Sequence, residues 1–121
     1  MTAIDATGLN PASLIAMGHY QSMSDVLGDE FQTIIADFFS DCAGFANKLE
    51  ECSSEERIVD FRKLCHEIKG ASALLGFRGL ADFAAAWEAA AGNGKLPDGA
   101  RIAEDFRRLV RDTGALLDSI R

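Results

Sequence analysis

Residues 65–76 read CHEIKGASALLG and predict the second half of an amphipathic helix. Apolar residues recur there, and in the preceding turn, at the i, i+3, i+4, i+7 spacing of one helix face. That stripe consists of Phe61, Leu64, Cys65, Ile68, Ser72 and Leu75. At about 100° per residue, His66 falls roughly 140° from the stripe. The sequence therefore predicts an exposed imidazole on a helix whose opposite face is buried.

The neighbours of His66 on this helix are either cationic or small. Lys69 lies one turn after His66 and Arg62 one turn before it, on the same side. Gly70 and Ala73 follow at i+4 and i+7. Glycine inside a helix costs roughly 0.5–1 kcal/mol relative to alanine, so Gly70 indicates either close packing or a space kept open. Because the core stripe points elsewhere, we predict a space for another molecule.

A phosphoryl group on His66 Nε2 would need such access. Lys69 could offset its charge by roughly 1–4 kcal/mol for a pair near 4 Å in a wet site. Residues 66–76 follow the pattern HxxKGxSxxxG, which resembles the signature of histidine-containing phosphotransfer (HPt) domains. Leu80 and Glu88 stand at spacings that this family often uses, and residues 27–31 (LGDEF) resemble the entry to its second helix. The resemblance covers roughly residues 25 to 120, and it outweighs the alternative that His66 is an ordinary surface histidine.

This resemblance implies a phosphoryl relay. His66 would take phosphate from an aspartyl phosphate on one receiver domain and pass it to an aspartate on another, since neutral imidazole is a good nucleophile near pH 7. Lys69 would neutralise phosphoryl oxygens, while Gly70 and Ala73 would admit the receiver's active site. Glu88 is a candidate partner for His66 Nδ1–H and would leave Nε2 free. An equally open alternative is that Glu88 is an ordinary surface acid.

The sequence shows no motif for binding a nucleotide or a catalytic metal ion. It contains no glycine-rich phosphate loop or nucleotide fingerprint, and no acidic cluster suited to Mg²⁺. We therefore expect a phosphoryl carrier, not an enzyme, with no cofactor and no metal site. The Mg²⁺ ion would belong to the partner receiver domain. The implied partners are response-regulator receiver domains and a sensor or hybrid histidine kinase.

Two other function classes stay open. One is a non-catalytic adaptor bundle that binds a receiver domain without being phosphorylated, although the chain keeps both His66 and Lys69. The other is a dimeric kinase-associated module, although the predicted helices suffice for a monomer.

A docking surface is predicted around His66. On the helical projection, Val59, Ala73, Leu74 and Phe77 fall within roughly 80° of His66 on the side away from the stripe. Such a cluster resembles the apolar centre of an interface. The predicted rim adds Arg62, Lys63, Lys69 and Arg78, with Phe39 extending the patch from the preceding helix. Two alternatives remain: Leu74 packs against a neighbouring helix, and Phe77 caps the end of the bundle.

Charge is unevenly distributed along the chain. The net charge is −7, which argues against a nucleic-acid partner. Residues 57–80 nevertheless hold five Lys/Arg and two acids, a net +3 that leaves −10 for the rest. A local cationic face on an acidic protein suits an anionic partner surface.

Length and composition favour a single globular domain, residues 1–121. No apolar run reaches the 18 or more residues of a membrane span, and the N-terminus carries no secretory signal. Three cysteines, an odd number without metal-ligand spacing, favour a reduced cytoplasmic protein. The start at Met1 and the complete last helix predict a chain that stands alone.

The remaining pattern predicts an all-α fold: an antiparallel up-down-up-down four-helix bundle with a short extra N-terminal helix. Residues 1–9 are expected to be loose. Asn10 is expected to cap a short helix that runs from Pro11 to about Met17, with Gly18 as its stop. Residues 19–29 could hold a short turn, and His19 is interpreted as structural or exposed, not as a second phosphorylation site.

The bundle helices have clearer boundaries. The first is expected from Asp29 to about Cys52. Its apolar stripe, with Phe39 at the margin, consists of Phe31, Ile34, Ile35, Phe38, Cys42, Phe45 and Leu49. Ser53 and Glu56 fit a capping box before the His66 helix, and Gly76 is its expected left-handed end. The two following helices carry these apolar stripes: Leu80, Phe83, Ala84, Trp87 and Ala91, then Ile102, Phe106, Leu109, Thr113, Leu116, Leu117 and Ile120.

Overall fold

The computed structural model describes residues 11–121, and within this range the secondary structure is helical, with no strand. The helices are α1 (Pro11–Leu14), α2 (Met17–Leu27), α3 (Asp29–Cys52), α4 (Ile58–Leu75), α5 (Arg78–Gly92) and α6 (Gly99–Ile120), with a 3₁₀ turn at Glu55–Arg57. The predicted all-α class is confirmed for this part of the chain. The antiparallel up-down-up-down order of the four longest helices stays a prediction.

The four longest helices share one core. α4 packs against α5 and α3, and α6 packs against α3 and α5. The largest side chains in this core are fully buried phenylalanines at positions 31, 61, 77 and 106. Most of the predicted stripe residues are buried. Ile34 remains 37% exposed because it lies at the margin of its stripe, and Ile120, the last residue of α6, remains 40% exposed.

The N-terminal helices differ from the prediction. α1 ends at Leu14, and α2 begins at Met17 and continues through Gly18, so the prediction that Gly18 stops the helix is wrong. A glycine lowers helix propensity by about 1 kcal/mol but does not by itself end a helix that is anchored by packing. Here the anchor is Tyr20, which is buried and whose ring lies 5.4 Å from that of Phe31. The predictions for residues 1–9 and for an Asn10 cap lie outside the described residues.

The two ends of α4 are set differently. The predicted capping box does not form: the Ser53 hydroxyl donates to the Glu50 carbonyl (3.1 Å), and a 3₁₀ turn intervenes before Ile58. At the other end Gly76 adopts φ 82°, the left-handed conformation that was predicted. The amide of Phe77 donates to the Ser72 carbonyl (2.9 Å) and closes the helix. His66 therefore lies near the middle of α4, more than one turn from either end.

Candidate functional site

His66 lies on the solvent face of α4, with 69% of its side chain exposed. Its sequence neighbour Cys65 is only 1% exposed, and so is Ile68, which lies two residues after His66. Because one face of α4 is fixed in the core, the helical period directs the imidazole outward.

Glu88 of α5 connects the two polar residues of this face. Its Oε2 atom lies 3.0 Å from His66 Nδ1, and its Oε1 accepts a hydrogen bond from Lys69 Nζ at 2.8 Å. An ionised carboxylate can only accept, so Nδ1 carries the proton in this pair. In the neutral imidazole Nε2 then keeps its lone pair. The sequence pointed to the His66 contact, but it gave no sign that Glu88 also engages Lys69.

The charges around Glu88 keep it ionised. The hydrogen bond from the Lys69 ammonium, followed by that from His66, holds the pKa of Glu88 below its ordinary value of 4.5, against the opposing effect of partial burial. Nearby, burial and secondarily the charge of Glu88 raise the pKa of the Cys65 thiol to about 12. Cys65 therefore stays protonated at neutral pH and does not compete with His66 as a nucleophile.

Open space adjoins His66 on its C-terminal side. A Cβ added at Gly70 would meet no atom within 4 Å outside its own helix backbone, so close packing does not explain this glycine. Ala73, one turn further, is also exposed. The structure thus shows open space at Gly70 and an exposed Ala73, while the role of these two residues in access to Nε2 stays a prediction.

A shallow pocket adjoins His66 on its N-terminal side. Its walls are Val59, Arg62, Lys63, His66 and Glu88. The Arg62 guanidinium reaches across to α5, where a Cβ added at Gly92 would lie 3.4 Å from Nη2. Two predicted rim cations thus share a pocket with the imidazole.

Besides Ala73, two larger residues of the predicted apolar docking set are exposed. Val59 is 60% exposed and Leu74 is 56% exposed. Leu74 also borders a groove between α3 and α4 that includes Ile34 and Ala71. Both side chains are therefore accessible, although their participation in docking stays a prediction.

The assignment of Phe77 to the docking surface is wrong, because Phe77 is fully buried. Its ring lies 5.6 Å from those of Phe38 and Phe39. The projection continued α4 past its end, whereas the left-handed turn at Gly76 directs the chain into the core. The alternative interpretation of Phe77, a residue at the end of the bundle, agrees with this placement.

The structure does not bring Phe39 to His66, so its proposed extension of the patch is also wrong. The Phe39 side chain is half-buried, packs on Phe77, and borders a groove with Val110 and Arg107 of α6. The reason is that this side of α3 faces α6, a pairing that the sequence pattern of α3 does not specify.

Arg78 begins α5 and is exposed, and it lines a different pocket together with Ala73 and His19. His19 Nε2 lies 2.8 Å from the Leu74 carbonyl and donates to it across 55 residues of sequence. This bond fits the structural interpretation of His19. Because no local pattern links the two positions, the sequence gave no signal for it.

Ser72 is fully buried, as its place on the stripe predicted. Its hydroxyl has no hydrogen-bond partner among the described residues, so Ser72 contributes by packing in the core. In residues 11–121 no group of three or more His, Cys, Asp or Glu could hold a metal ion. Among the helices of this range, none combines the length and apolar character needed to span a bilayer.

Comparison with known proteins gives one finding. A family model described as Hpt domain matches residues 33–119. No curated protein and no solved structure matches the chain. The matched range contains His66, Lys69 and Glu88, and it leaves α1 and α2 outside.

Proposed function

The chain belongs to the Hpt domain family, and on that premise we propose that it is a phosphorelay intermediate that carries a phosphoryl group on His66 between receiver-domain aspartates. Hpt domains act in histidine phosphotransfer in two-component signalling, as carriers and not as enzymes with nucleotide or metal sites. They interact with receiver domains and kinases. The observation that carries the proposal here is the bridge from Glu88 to His66 and Lys69, which engages Nδ1 and not Nε2 of a largely exposed imidazole.

The transfer step follows from this bridge. His66 Nε2 attacks the phosphorus of the receiver's aspartyl phosphate, forming a P–N bond as the P–O bond to the aspartate breaks. The aspartate leaves as a carboxylate, and the imidazole keeps its Nδ1 proton. The Glu88 carboxylate, 3.0 Å from Nδ1, balances the positive charge that develops on the ring. Transfer to the next receiver is the reverse of this step.

Lys69 has two anions within its reach during the cycle. In the unphosphorylated structure its ammonium is bonded to Glu88 at 2.8 Å, and its side chain is still 36% exposed. Once His66 is phosphorylated, the phosphoryl oxygens offer a second charge-assisted acceptor beside the same ammonium. Lys69 thus offsets the added charge, while Glu88 keeps the His66 bond that fixes the ring.

The partner completes the reacting centre. Arg62 and Lys63 line the pocket beside His66 and face the acidic rim of a receiver's active site, which supplies its own Mg²⁺. Val59, Ala73 and Leu74 add exposed apolar surface for the receiver to cover. The proposal includes a monomeric, cytoplasmic carrier that uses a sensor or hybrid histidine kinase as its ultimate donor. The three cysteines, all buried thiols, support a reducing compartment.

Purified receiver domains phosphorylated with acetyl phosphate test the proposal. At least one should transfer label to this protein, and the label should be lost in acid and retained in base, as expected for phosphohistidine. His19→Gln is the matched control, because it replaces the other histidine and should still take label at a saturating receiver concentration. Label that survives in His66→Gln would assign the phosphate to another residue, and receivers that bind without transfer would favour the adaptor alternative.

A further inference from the structure

The faces of α4 and α5 that carry His66 and Glu88 continue along both helices beyond this pair. His66 and Ala73 are seven residues apart on α4, and Glu88 and Ala81 are seven apart on α5. Seven residues make nearly two turns, about 10 Å, so each pair shares one helix face. Gly70 lies between His66 and Ala73 and borders open space. Small, exposed residues therefore follow His66 on this face of α4.

A second pocket lies at the far end of these two helix faces. Ala73, Gly76, Arg78, Ala81 and Asp82 supply the α4 and α5 sides. Ala16 and His19 supply the remaining wall. Thus α2, which lies outside the matched residues 33–119, completes a pocket on the face that carries His66.

Several contacts hold this wall in place. The amide of Ala16 donates to the Gly76 carbonyl, and His19 Nε2 donates to the Leu74 carbonyl, both at 2.8 Å. A Cβ added at Gly76 would lie 3.2 Å from the Tyr20 amide nitrogen, so the absence of a side chain there permits the approach of α2. The pocket is consequently preformed, and a partner that entered it would lose little free energy in ordering the wall.

The size of a typical interface brings this pocket within reach of the docked partner. A standard interface buries roughly 800 Å² on each side, equivalent to a disc of about 16 Å radius. Ala73 lies about 10 Å along α4 from His66. An interface of this size centred on His66 therefore extends over Ala73 and the pocket that it borders.

We propose that the receiver domain that exchanges phosphate with His66 also places an apolar side chain in the pocket formed by Ala16, His19, Ala73 and Ala81. α2 thereby determines which receivers bind, although it takes no part in the chemistry. The pocket lining is mainly apolar through Ala16, Ala73 and Ala81, with His19, Arg78 and Asp82 on its other sides, and this favours an apolar occupant. The pocket borders the same face of α4 as His66, about 10 Å along the helix, and this position assigns the occupant to the same receiver. This inference rests on the proposed function.

The test fills the pocket without altering His66. Ala81→Gln places a larger side chain in the pocket. Ala115→Gln, at an exposed position of α6, is the matched control. The probe is the receiver domain that labels His66 in the experiment above. We expect Ala81→Gln to raise the receiver concentration for half-maximal transfer at least fivefold, with the rate at saturation unchanged. His19→Ala should raise it in the same direction.

Direct labelling by phosphoramidate, a small phosphodonor, separates the two hypotheses. Wild type, Ala81→Gln and Ala115→Gln should all be labelled at the same rate, because this reaction needs no docked protein. A wild-type protein that takes no label from phosphoramidate or from any receiver would refute the proposed function. If transfer proceeds but Ala81→Gln and Ala115→Gln share one half-saturating concentration, the receiver does not use the pocket and the inference is wrong.

Discussion

The two faces of α4 differ sharply although their residues alternate along the chain. On the core face Phe61 is fully buried and Cys65 is 1% exposed, with a thiol whose pKa is raised to about 12. On the solvent face the adjacent His66 is 69% exposed, and Val59 is 60% exposed. The core face thus holds groups whose chemistry is suppressed by burial, and the solvent face holds the groups available for reaction.

This division explains how α4 tolerates a glycine beside the candidate phosphorylation site. Helical stability in a protein comes mainly from packing of the apolar face, and this packing outweighs the lower helix propensity of Gly70. The two faces can therefore be perturbed separately. Substitutions on the solvent face should change transfer with little effect on stability, and substitutions on the core face should do the reverse.

The largest expected effect is that of His66→Gln. We expect complete loss of phosphoryl acceptance. The other histidine in the described residues, His19, uses its Nε2 in the hydrogen bond to the Leu74 carbonyl and should not replace His66. The thermal midpoint should stay close to that of the wild type, since surface substitutions usually change stability by about 0.5 kcal/mol or less. Labelling and thermal unfolding of the same preparation check both parts. Unfolding of the variant would place His66 among the structural residues.

On the core face, Phe61→Ala should lower the free energy of unfolding by about 3–5 kcal/mol, because it removes a fully buried ring and leaves a cavity. Urea denaturation measures this loss. Val59→Ala, two residues earlier and exposed, is the control and should remain within about 0.5 kcal/mol of the wild type. At a temperature where Phe61→Ala is still folded, phosphoramidate should label it at nearly the wild-type rate. Equal losses for the two variants would contradict the division between the faces.

Gly70→Gln should separate stability from transfer at a single position. A side chain there fills space that is open in the structure, so receiver-mediated transfer should slow roughly tenfold, equivalent to about 1.4 kcal/mol in the barrier. The free energy of unfolding should stay the same or rise by up to about 1 kcal/mol, since glycine is the poorer helix former. Stopped-time transfer assays and urea denaturation measure the two quantities. Transfer at the wild-type rate would show that Gly70 is not needed for access.

The smallest expected effect is that of Glu88→Gln on the free energy of unfolding as the pH is lowered. Lys69 and His66 lower the pKa of Glu88, so its stabilising contribution is fully present above pH 4.5 and is lost as the pH falls through the lowered value. Glu88→Gln should therefore lower the free energy of unfolding by about 1 kcal/mol or less near neutral pH. This difference should shrink as the pH falls below 4.5 and disappear once Glu88 is protonated in the folded protein. Urea denaturation between pH 3 and 7 gives the difference. Glu67→Gln, an exposed acid on the same helix, should follow the wild-type profile, and a constant difference for Glu88→Gln would argue against the lowered pKa.

Much of the fold and part of the site could be predicted from local patterns. The stripe through Phe61, Ile68 and Leu75 specified which side of α4 is buried, and hence the exposure of His66, because the helical period is a local property. The left-handed end at Gly76 was equally local, since a residue without a Cβ adopts that conformation at little cost. The same reasoning failed at Gly18, where packing of Tyr20 maintains a helix that propensity alone disfavours.

The sequence by itself determined the helical class, the solvent face of His66 and the presence of a cation and a small residue beside it. Only the tertiary structure decided that Glu88 joins His66 to Lys69, that Phe77 turns into the core, and that His19 reaches the end of α4. These contacts join positions on separate helices or follow a turn that redirects the chain. Helical periodicity fixes directions only around one axis, and the packing of the helices fixes which directions meet.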